Sequence, residues 1–263
     1  MADRAIEDDQ SKPSIARIYD YLLGGHDNHP VDRAIGDIFI NDLPGSPAIA
    51  RANRQALIRA VGAIADEGVS QFVDLGSGLP TEDNVHQVAQ RHSPDARVVY
   101  VDHDPSAVVR SRALLAGDER TVVIEADLRD PERIHGDPAV RALIDFDRPV
   151  GVIFSGVLHH LNDSERPAEP VRRWAELVAP GSRFYISHFR SGRNGETRAV
   201  EQKLQASLGR GRWRTDEEIA ALFGDLELLE PGVVPCTLWR PEGVPGEPTV
   251  WEQLITCGLA AKR

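Results

Sequence analysis

Cysteine, basic residues and long apolar runs are all scarce in this sequence, and each shortage excludes a class of protein. The two cysteines, Cys236 and Cys257, are too few for a disulfide framework and lack metal-ligand spacing, so we expect no metal site. Thirty Lys and Arg stand against 41 Asp and Glu, and the net charge of −11 argues against a nucleic-acid or anionic-membrane surface. No apolar run reaches the length of a membrane span, and residues 1–10 are too acidic for a signal peptide. We therefore expect a cytoplasmic protein that acts on a small molecule or, as the alternative, on another protein.

The chain of 263 residues divides by its pattern into a tail and helical lid at residues 1–50 and a larger domain at residues 51–263. Residues 1–13 are polar and suit a disordered lead-in. Ser14 can then cap a helix at Ile15–Leu23, whose apolar residues follow helical spacing. Two further helices are predicted at Val31–Leu43 and Pro47–Ala65.

A polar run at residues 26–29 follows the pair Gly24-Gly25, which ends the first predicted helix. A short helix with a glycine hinge is suited to closing over a crevice, so we expect this lid to complete a ligand site. Tyr19 and Asn28 are then the side chains best suited to touch the ligand, because both can donate and accept hydrogen bonds. The alternative is a helix packed elsewhere, whose glycines serve only as a stop.

From residue 70 onward, strands and helices alternate, which predicts an α/β fold with a mostly parallel sheet. Strands are predicted near 70–75, 97–102, 121–125, 149–154 and 182–188. The helices are predicted at Glu82–Arg91, Ser106–Leu115, Ala139–Ile144, Asp163–Val178 and Thr215–Phe223. Two extended runs at 225–238 and 252–261 flank a Pro/Gly-rich loop and suit an antiparallel hairpin at the sheet edge.

The first predicted strand runs into a glycine turn at Gly76-Ser77-Gly78, which lets backbone approach a ligand at the carboxyl end of the strand. A dinucleotide fingerprint would have a third glycine where this chain has Thr81. Asp74 precedes the turn, and Glu82 and Asp83 are predicted in the first turn of the next helix, where a pyrophosphate would otherwise bind. Three carboxylates would repel a pyrophosphate and favour a ligand that carries an ammonium and a sulfonium, such as S-adenosylmethionine.

The next two strands also end in acids. Asp102 can accept hydrogen bonds from both hydroxyls of a ribose, and His103 follows it, while Asp104 or Ser106 is available to cap the next helix. The third strand is followed by Asp127 and Leu128. Asp127 could receive an adenine amino group, and Leu128 could cover the face of the ring.

In order, these segments resemble the motifs of S-adenosylmethionine-dependent methyltransferases of the seven-stranded Rossmann-like type. The resemblance rests on the segments Asp74–Gly78, Val101-Asp102, Ala126–Leu128 and Phe154–Leu161, and it covers residues 70–263. The segment 13–28 is similar to the start of an actinobacterial group of S-adenosyl methyltransferases. The resemblance implies a Rossmann-like methyltransferase sheet, S-adenosylmethionine as methyl donor, S-adenosylhomocysteine as product and no metal. Pro80 departs from the pattern, since many relatives have a glycine near it.

The fourth strand ends in Ser155, which we place at the cofactor site, and is followed by His159 and His160. Methyl transfer from a sulfonium is an in-line displacement, so the protein mainly supplies alignment and exclusion of water. His159 and His160 stand where a base would act if the acceptor arrives protonated, although adjacent histidines commonly pack or cap instead.

Two other functions fit parts of the sequence. A nicotinamide-dependent oxidoreductase would share the sheet, the glycine turn and the ribose acid, but it would have to seat a pyrophosphate beside acids. A non-catalytic S-adenosylmethionine binder, acting as a sensor or partner subunit, would keep every cofactor residue and need no acceptor pocket.

Overall fold

An eight-stranded sheet with helices on both faces forms the centre of the protein. The computed structural model describes residues 12–81, 83–208, 211–244 and 246–263. The strands are β1 Gln71–Leu75, β2 Arg97–Asp102, β3 Thr121–Glu125, β4 Gly151–Ser155, β5 Arg183–Phe189, β6 Glu227–Leu228, β7 Val234–Pro235 and β8 Ile255–Ala261. Their order is β3-β2-β1-β4-β5-β8-β6, with β7 also paired to β8. Strands β1 to β5 are parallel, and β8 is antiparallel to β5, β6 and β7, which confirms the predicted fold.

The helices of the described residues are α1 Ile15–Leu23, α2 Pro30–Asp42, α3 Ser46–Asp66, α4 Val85–His92, α5 Pro105–Leu114, α6 Pro131–Gly136, α7 Pro138–Leu143, α8 Ala168–Leu177, α9 Gly195–Leu208 and α10 Asp216–Ala221. The prediction for α1 is confirmed at both ends, with Ser14 accepting from the backbone of Arg17 as the N-cap. The polar lead-in predicted at residues 1–13 lies, up to residue 11, outside the described residues.

Two predicted helices differ from the observed ones. The helix expected from Glu82 begins only at Val85, because the Gln87 side chain accepts from the backbone N–H of Asn84 (2.8 Å) and closes the helix start there. Residues 163–178 do not form one helix, since Arg166 adopts a left-handed conformation (φ 50°) that separates a short 3₁₀ turn from α8. Helices α6 and α9 have no counterpart in the prediction.

The two faces of β1 point into different cores. Phe72 packs with α3 and α4 on one face, whereas Val73 and Leu75 pack with α6, α7 and α8 on the other. All three side chains are completely buried, and burial of each contributes about 1.5–3 kcal/mol to stability. The strand that carries the glycine turn is thereby fixed from both sides.

The N-terminal helices α1 and α2 lie outside the sheet and pack on each other and on α3. The division drawn between residues 50 and 51 falls inside α3. The buried ion pair between Arg17 and Asp32 (2.7 Å) joins α1 to α2, and Asp32 also accepts from the backbone of Ser14 and His29. The lid is therefore an ordered unit with its own polar connections.

Candidate functional site

The strand order places a crevice at the carboxyl ends of β1 and β4. Strand β1 pairs with β2 on one side and with β4 on the other, so the connections that follow β1 and β4 leave in opposite directions. Such a reversal of strand order is where open α/β sheets bind ligands. The connection after β1 begins with the glycine turn Gly76–Gly78 predicted from the sequence, and the connection after β4 begins with Gly156, which has a positive φ.

The turn after β1 requires glycine for steric reasons. Gly76 has φ 76°, and a Cβ on it would lie 2.5 Å from Cγ1 of Val157. The backbone N–H groups of Gly76 and Ser77 both donate to the carbonyl of Val101 (2.8 and 3.0 Å), which ties the turn to the end of β2. Leu128 lies on the same side, with Cδ2 3.7 Å from the position of that Cβ. The structure thus brings the predicted glycine turn and Leu128 together.

Asp102 lies directly beneath the glycine turn, as the sequence predicted. Its Oδ2 accepts from the backbone N–H of Gly78 (2.7 Å) and its Oδ1 from that of Asp104 (2.9 Å). Each carboxylate oxygen keeps lone-pair capacity for a ligand hydroxyl. Asp104 itself caps α5 by accepting from Ser106, so capping and ligand binding fall to different acids. His103 is at the rim, with 80% of its side chain exposed and Nδ1 3.6 Å from Oδ1 of Asp102.

Asp127, at the end of β3, is held by an arginine rather than left open. Arg129 donates to it through Nε (3.0 Å) and Nη2 (2.5 Å), and these hydrogen bonds lower the pKa of Asp127. Arg129 also bridges to Glu165 (2.7 Å). The carboxylate is therefore fixed and ionised, and it is partly exposed toward the same edge of the sheet as Asp102.

Asp74 is the buried acid of the site. It is 5% exposed, and no group of the described residues donates a hydrogen bond to it. Burial raises its pKa to about 7, which Arg54 counteracts and the neighbouring Asp102 reinforces. A cavity of about 10 Å³, the room of about one water molecule, lies between Asp74, Gly78 and Tyr100.

Of the two acids predicted at the next helix start, only Asp83 belongs to the described residues. Asp83 precedes the N-cap of α4 instead of lying in its first turn, and it pairs with Arg91 (2.7 Å) near the surface. Glu82 lies outside the described residues. Asp74 and Asp102 are therefore the described acids that would repel a pyrophosphate at this turn.

The lid is docked over this edge of the sheet. A Cβ on Gly78 would lie 3.9 Å from Cβ of Ala16, so α1 lies against the glycine turn. The Ser14 hydroxyl donates to Asp104, and Arg17 donates to Ser106 (3.0 Å) at the start of α5. Farther out, Arg110 pairs with Asp27 (3.0 Å). Residues of the lid thus contact the glycine turn and helix α5.

The two lid residues predicted to face the ligand have different surroundings. The Tyr19 hydroxyl reaches from α1 to Asn53 of α3, beside the end of β4. Asn28 is buried within the lid, where its amide donates to Asp20 (2.8 Å) and to the carbonyl of Gly25 (3.0 Å) and accepts from Arg33. The structure brings Tyr19 to the crevice and gives Asn28 a role in holding the turn of the lid.

The ends of β4 and β5 form a second, more aromatic part of the crevice. The ring of His159 lies 4.3 Å from that of His160 and 4.9 Å, edge-on, from Phe189, which stacks on Trp213 at 4.8 Å. Burial, followed by the charges of His160, His188 and Arg214, lowers the pKa of His159 well below its usual value. Its Nδ1 is buried without a partner among the described residues, so no carboxylate orients the ring. His159 is accordingly neutral at physiological pH.

Comparison with known proteins assigns the family. The sequence profile of a family described as S-adenosyl methyltransferase matches residues 2–263. The chain belongs to this S-adenosyl methyltransferase family. The comparison with curated proteins gave no match.

Solved structures agree with the family assignment. A protein of Thermobifida fusca YX, described as a candidate methyltransferase, is 44% identical over 97% of both chains, with a TM-score of 0.92. A DUF574 family protein of Streptomyces avermitilis MA-4680 is 35% identical over 97% of this chain and 99% of that chain, with a TM-score of 0.90. The mitomycin 7-O-methyltransferase MmcR is 18% identical over 97% of this chain and 70% of that chain, and its TM-score of 0.52 shows a shared fold alone.

Family membership confirms the resemblance read from the glycine turn and the strand-end acids. Within the described ranges, no group of three or more His, Cys, Asp or Glu residues is arranged to hold a metal ion. No described helix is both long and apolar enough to cross a membrane.

Two residues of this family member, Asn53 and Arg214, were not identified from the sequence. Arg214 is buried and holds the 3₁₀ turn Leu158–His160, which carries His159, in place. It donates to His188 (3.0 Å), to the carbonyl of Leu161 (3.2 Å) and to Asp163 (2.8 Å). Asn53 lies on the buried face of α3, four residues from both Ile49 and Leu57. A polar residue at a core-facing helical position is a signal that the sequence contains.

Proposed function

We propose that the protein is an S-adenosylmethionine-dependent methyltransferase that acts on a small-molecule acceptor. The observation that carries the proposal is Asp102, held beneath the glycine turn by two backbone N–H groups with lone-pair capacity left on both oxygens. This is the arrangement that a ribose with two adjacent hydroxyls requires. The family assignment supports the same cofactor.

The other residues of this edge fit the remaining groups of S-adenosylmethionine. Gly76 and Gly78 have no side chain to keep a ligand from the backbone of the turn, and the buried Asp74 is a counter-charge for the ammonium. The fixed carboxylate of Asp127 can accept from the adenine amino group while Leu128 covers one face of the ring. When bound, S-adenosylmethionine supplies an electrophilic methyl group on its sulfonium.

The protein contributes mainly position and exclusion of water. The lid covers the glycine turn through Ala16 and keeps water from the crevice. His159 has no carboxylate to stabilise its protonated ring and lies near the guanidinium of Arg214, so it is poorly suited to hold a proton. An acceptor whose nucleophile needs little help with deprotonation therefore fits this site best.

The residues at the ends of β4 and β5, which we call the acceptor end, support a small molecule as the acceptor. Phe189 stacks on the buried Trp213 and meets the ring of His159 edge-on, and aromatic side chains of this kind are common beside sites for organic ligands. The net charge of −11 opposes a nucleic-acid substrate.

A thermal-shift experiment tests the choice of cofactor. S-adenosylhomocysteine binds only the folded state and should raise the melting temperature, by an amount equivalent to about 2.7 kcal/mol at a hundred times its dissociation constant. NAD should leave the melting temperature unchanged. A shift with NAD and none with S-adenosylhomocysteine would contradict the proposal and favour an oxidoreductase.

One observation favours a second function, a non-catalytic S-adenosylmethionine binder. Among the described residues, His159 lacks the orienting carboxylate that a general base would have, whereas Asp102 is already held in place at the glycine turn. Formation of S-adenosylhomocysteine from S-adenosylmethionine, dependent on an added acceptor, distinguishes the enzyme from the binder.

A further inference from the structure

Asn53 lies where the lid meets the ends of two strands. Its Nδ2 donates to the hydroxyl of Tyr19 on α1 (3.0 Å) and to Oγ of Ser155 at the end of β4 (3.4 Å). Its Oδ1 accepts from Oγ of Ser187 on β5 (2.5 Å). Asn53 is 5% exposed, so these partners replace water around the amide.

The network fixes which way the amide points. The Tyr19 hydroxyl donates its one hydrogen to the carbonyl of Ala50 (3.0 Å), so toward Asn53 it can only accept. Nδ2 must therefore face Tyr19, and Oδ1 must face Ser187. At the turn after β4, a Cβ on Gly156 would lie 3.3 Å from Nδ2 of Asn53, so glycine lets the amide lie close to this turn.

One face of α1 reaches both parts of the crevice. Ala16 lies against Gly78 at the cofactor edge, and Tyr19, three residues later on the same helical face, reaches Asn53 beside the acceptor end. If the lid moved away, Nδ2 of Asn53 would lose Tyr19 as its closest acceptor. This hydrogen bond forms only when the lid is docked, so the docked lid and the ordered amide stabilise each other.

We propose that Asn53 is a positioning residue that couples docking of the lid to the acceptor end of the crevice. The inference rests on the proposed function, because the ligand that favours the docked lid is the cofactor. Binding at the glycine turn then orders Tyr19, Asn53 and the two serines, Ser155 and Ser187. The residues of the acceptor end are therefore all in place only when the lid covers the glycine turn.

Hydrogen exchange in the presence of S-adenosylhomocysteine tests this coupling. In the wild-type protein, the ligand should slow exchange at residues 15–23 of the lid and also at residues 156–161 after β4. Tyr19→Phe keeps the ring and removes the hydroxyl, together with its bonds to Asn53 and to the carbonyl of Ala50. The slowing at residues 156–161 should then be about fivefold smaller, the effect of losing the bond to Asn53. Asn53→Ala also loses the bonds to Ser155 and Ser187, so it should reduce this slowing at least as much, and adding Tyr19→Phe to it should change exchange at residues 156–161 no further.

Tyr21→Phe is the matched control, because Tyr21 is on the same helix and its hydroxyl donates to Asp37 within the lid (2.8 Å). It should behave as the wild-type protein at residues 156–161. Equal behaviour of Tyr19→Phe and Tyr21→Phe overturns the role of Asn53, as does slowing in the wild-type lid without any at residues 156–161. Absence of S-adenosylhomocysteine binding by the wild-type protein is a different result, which overturns the proposed function itself.

Discussion

Asp102→Ala should weaken binding of S-adenosylhomocysteine roughly tenfold to a hundredfold, as measured by titration calorimetry. The substitution removes a charged acceptor for two ribose hydroxyls, a loss of about 1.5–3 kcal/mol. It also frees the backbone N–H groups of Gly78 and Asp104, so the glycine turn loses one of its ties to β2, while the bonds of Gly76 and Ser77 to Val101 remain. The fold should survive, because the core on both faces of β1 does not involve this side chain.

Glu125 provides the control for this substitution. It lies opposite Asp102 in the register of β2 and β3 but is exposed. Glu125→Ala should leave the affinity unchanged. Asp102→Asn keeps the shape of the side chain but not its charge, so its affinity should lie between those of the wild-type protein and Asp102→Ala. Unchanged affinity in Asp102→Ala would move the ribose contact away from this acid.

Asp74→Asn should make the ligand-free protein more stable above pH 7 and weaken its binding of S-adenosylhomocysteine. The folded-state pKa of Asp74 is raised from 3.8 to about 7 by burial. The unfolded chain ionises this group first, so its contribution to stability falls as pH rises from about 4 to about 7, by on the order of 2–4 kcal/mol. The variant does not lose stability in this way. Chemical denaturation at pH 5 and pH 8 measures the free energy of unfolding of both proteins and so the difference between them.

Ligand binding should have the opposite pH dependence in the wild-type protein. The ionised form of Asp74 attracts the ammonium of the ligand, so affinity should rise as pH passes from 6 to 8, and the Asn variant should lose this rise. Asp83→Asn serves as the control, since Asp83 is near the same turn but pairs with Arg91 at the surface. A variant whose affinity matches the wild-type protein at pH 8 would place the ammonium away from Asp74.

The sheet and its edge could be predicted because their signals are local. Runs such as Phe72-Val73 and Val98–Val101 are buried strands that end in an acid or a glycine turn, and the carboxyl ends of parallel strands must share one edge. Asp102, Gly76 and Leu128 were therefore found from the sequence and lie together in the structure.

The rest depends on contacts between distant segments. Nothing near Asn28 in sequence shows that Asp20 and Arg33 would occupy its amide, and nothing near Arg214 shows that it would fasten the His159 turn. The start of α4 was misplaced because acids near a helix start are favourable in general, whereas Gln87 selects Asn84 as the cap here.

A crystal structure of the protein with S-adenosylhomocysteine is the most direct test of the central claim, that the cofactor binds at the ends of β1, β2 and β3. We predict both ribose hydroxyls at roughly 2.6–3.0 Å from the carboxylate of Asp102, the adenine against Leu128 and the lid docked over Gly78. A complex in which Asp102 contacts no atom of the ligand, or in which the ligand lies away from the glycine turn, would contradict it.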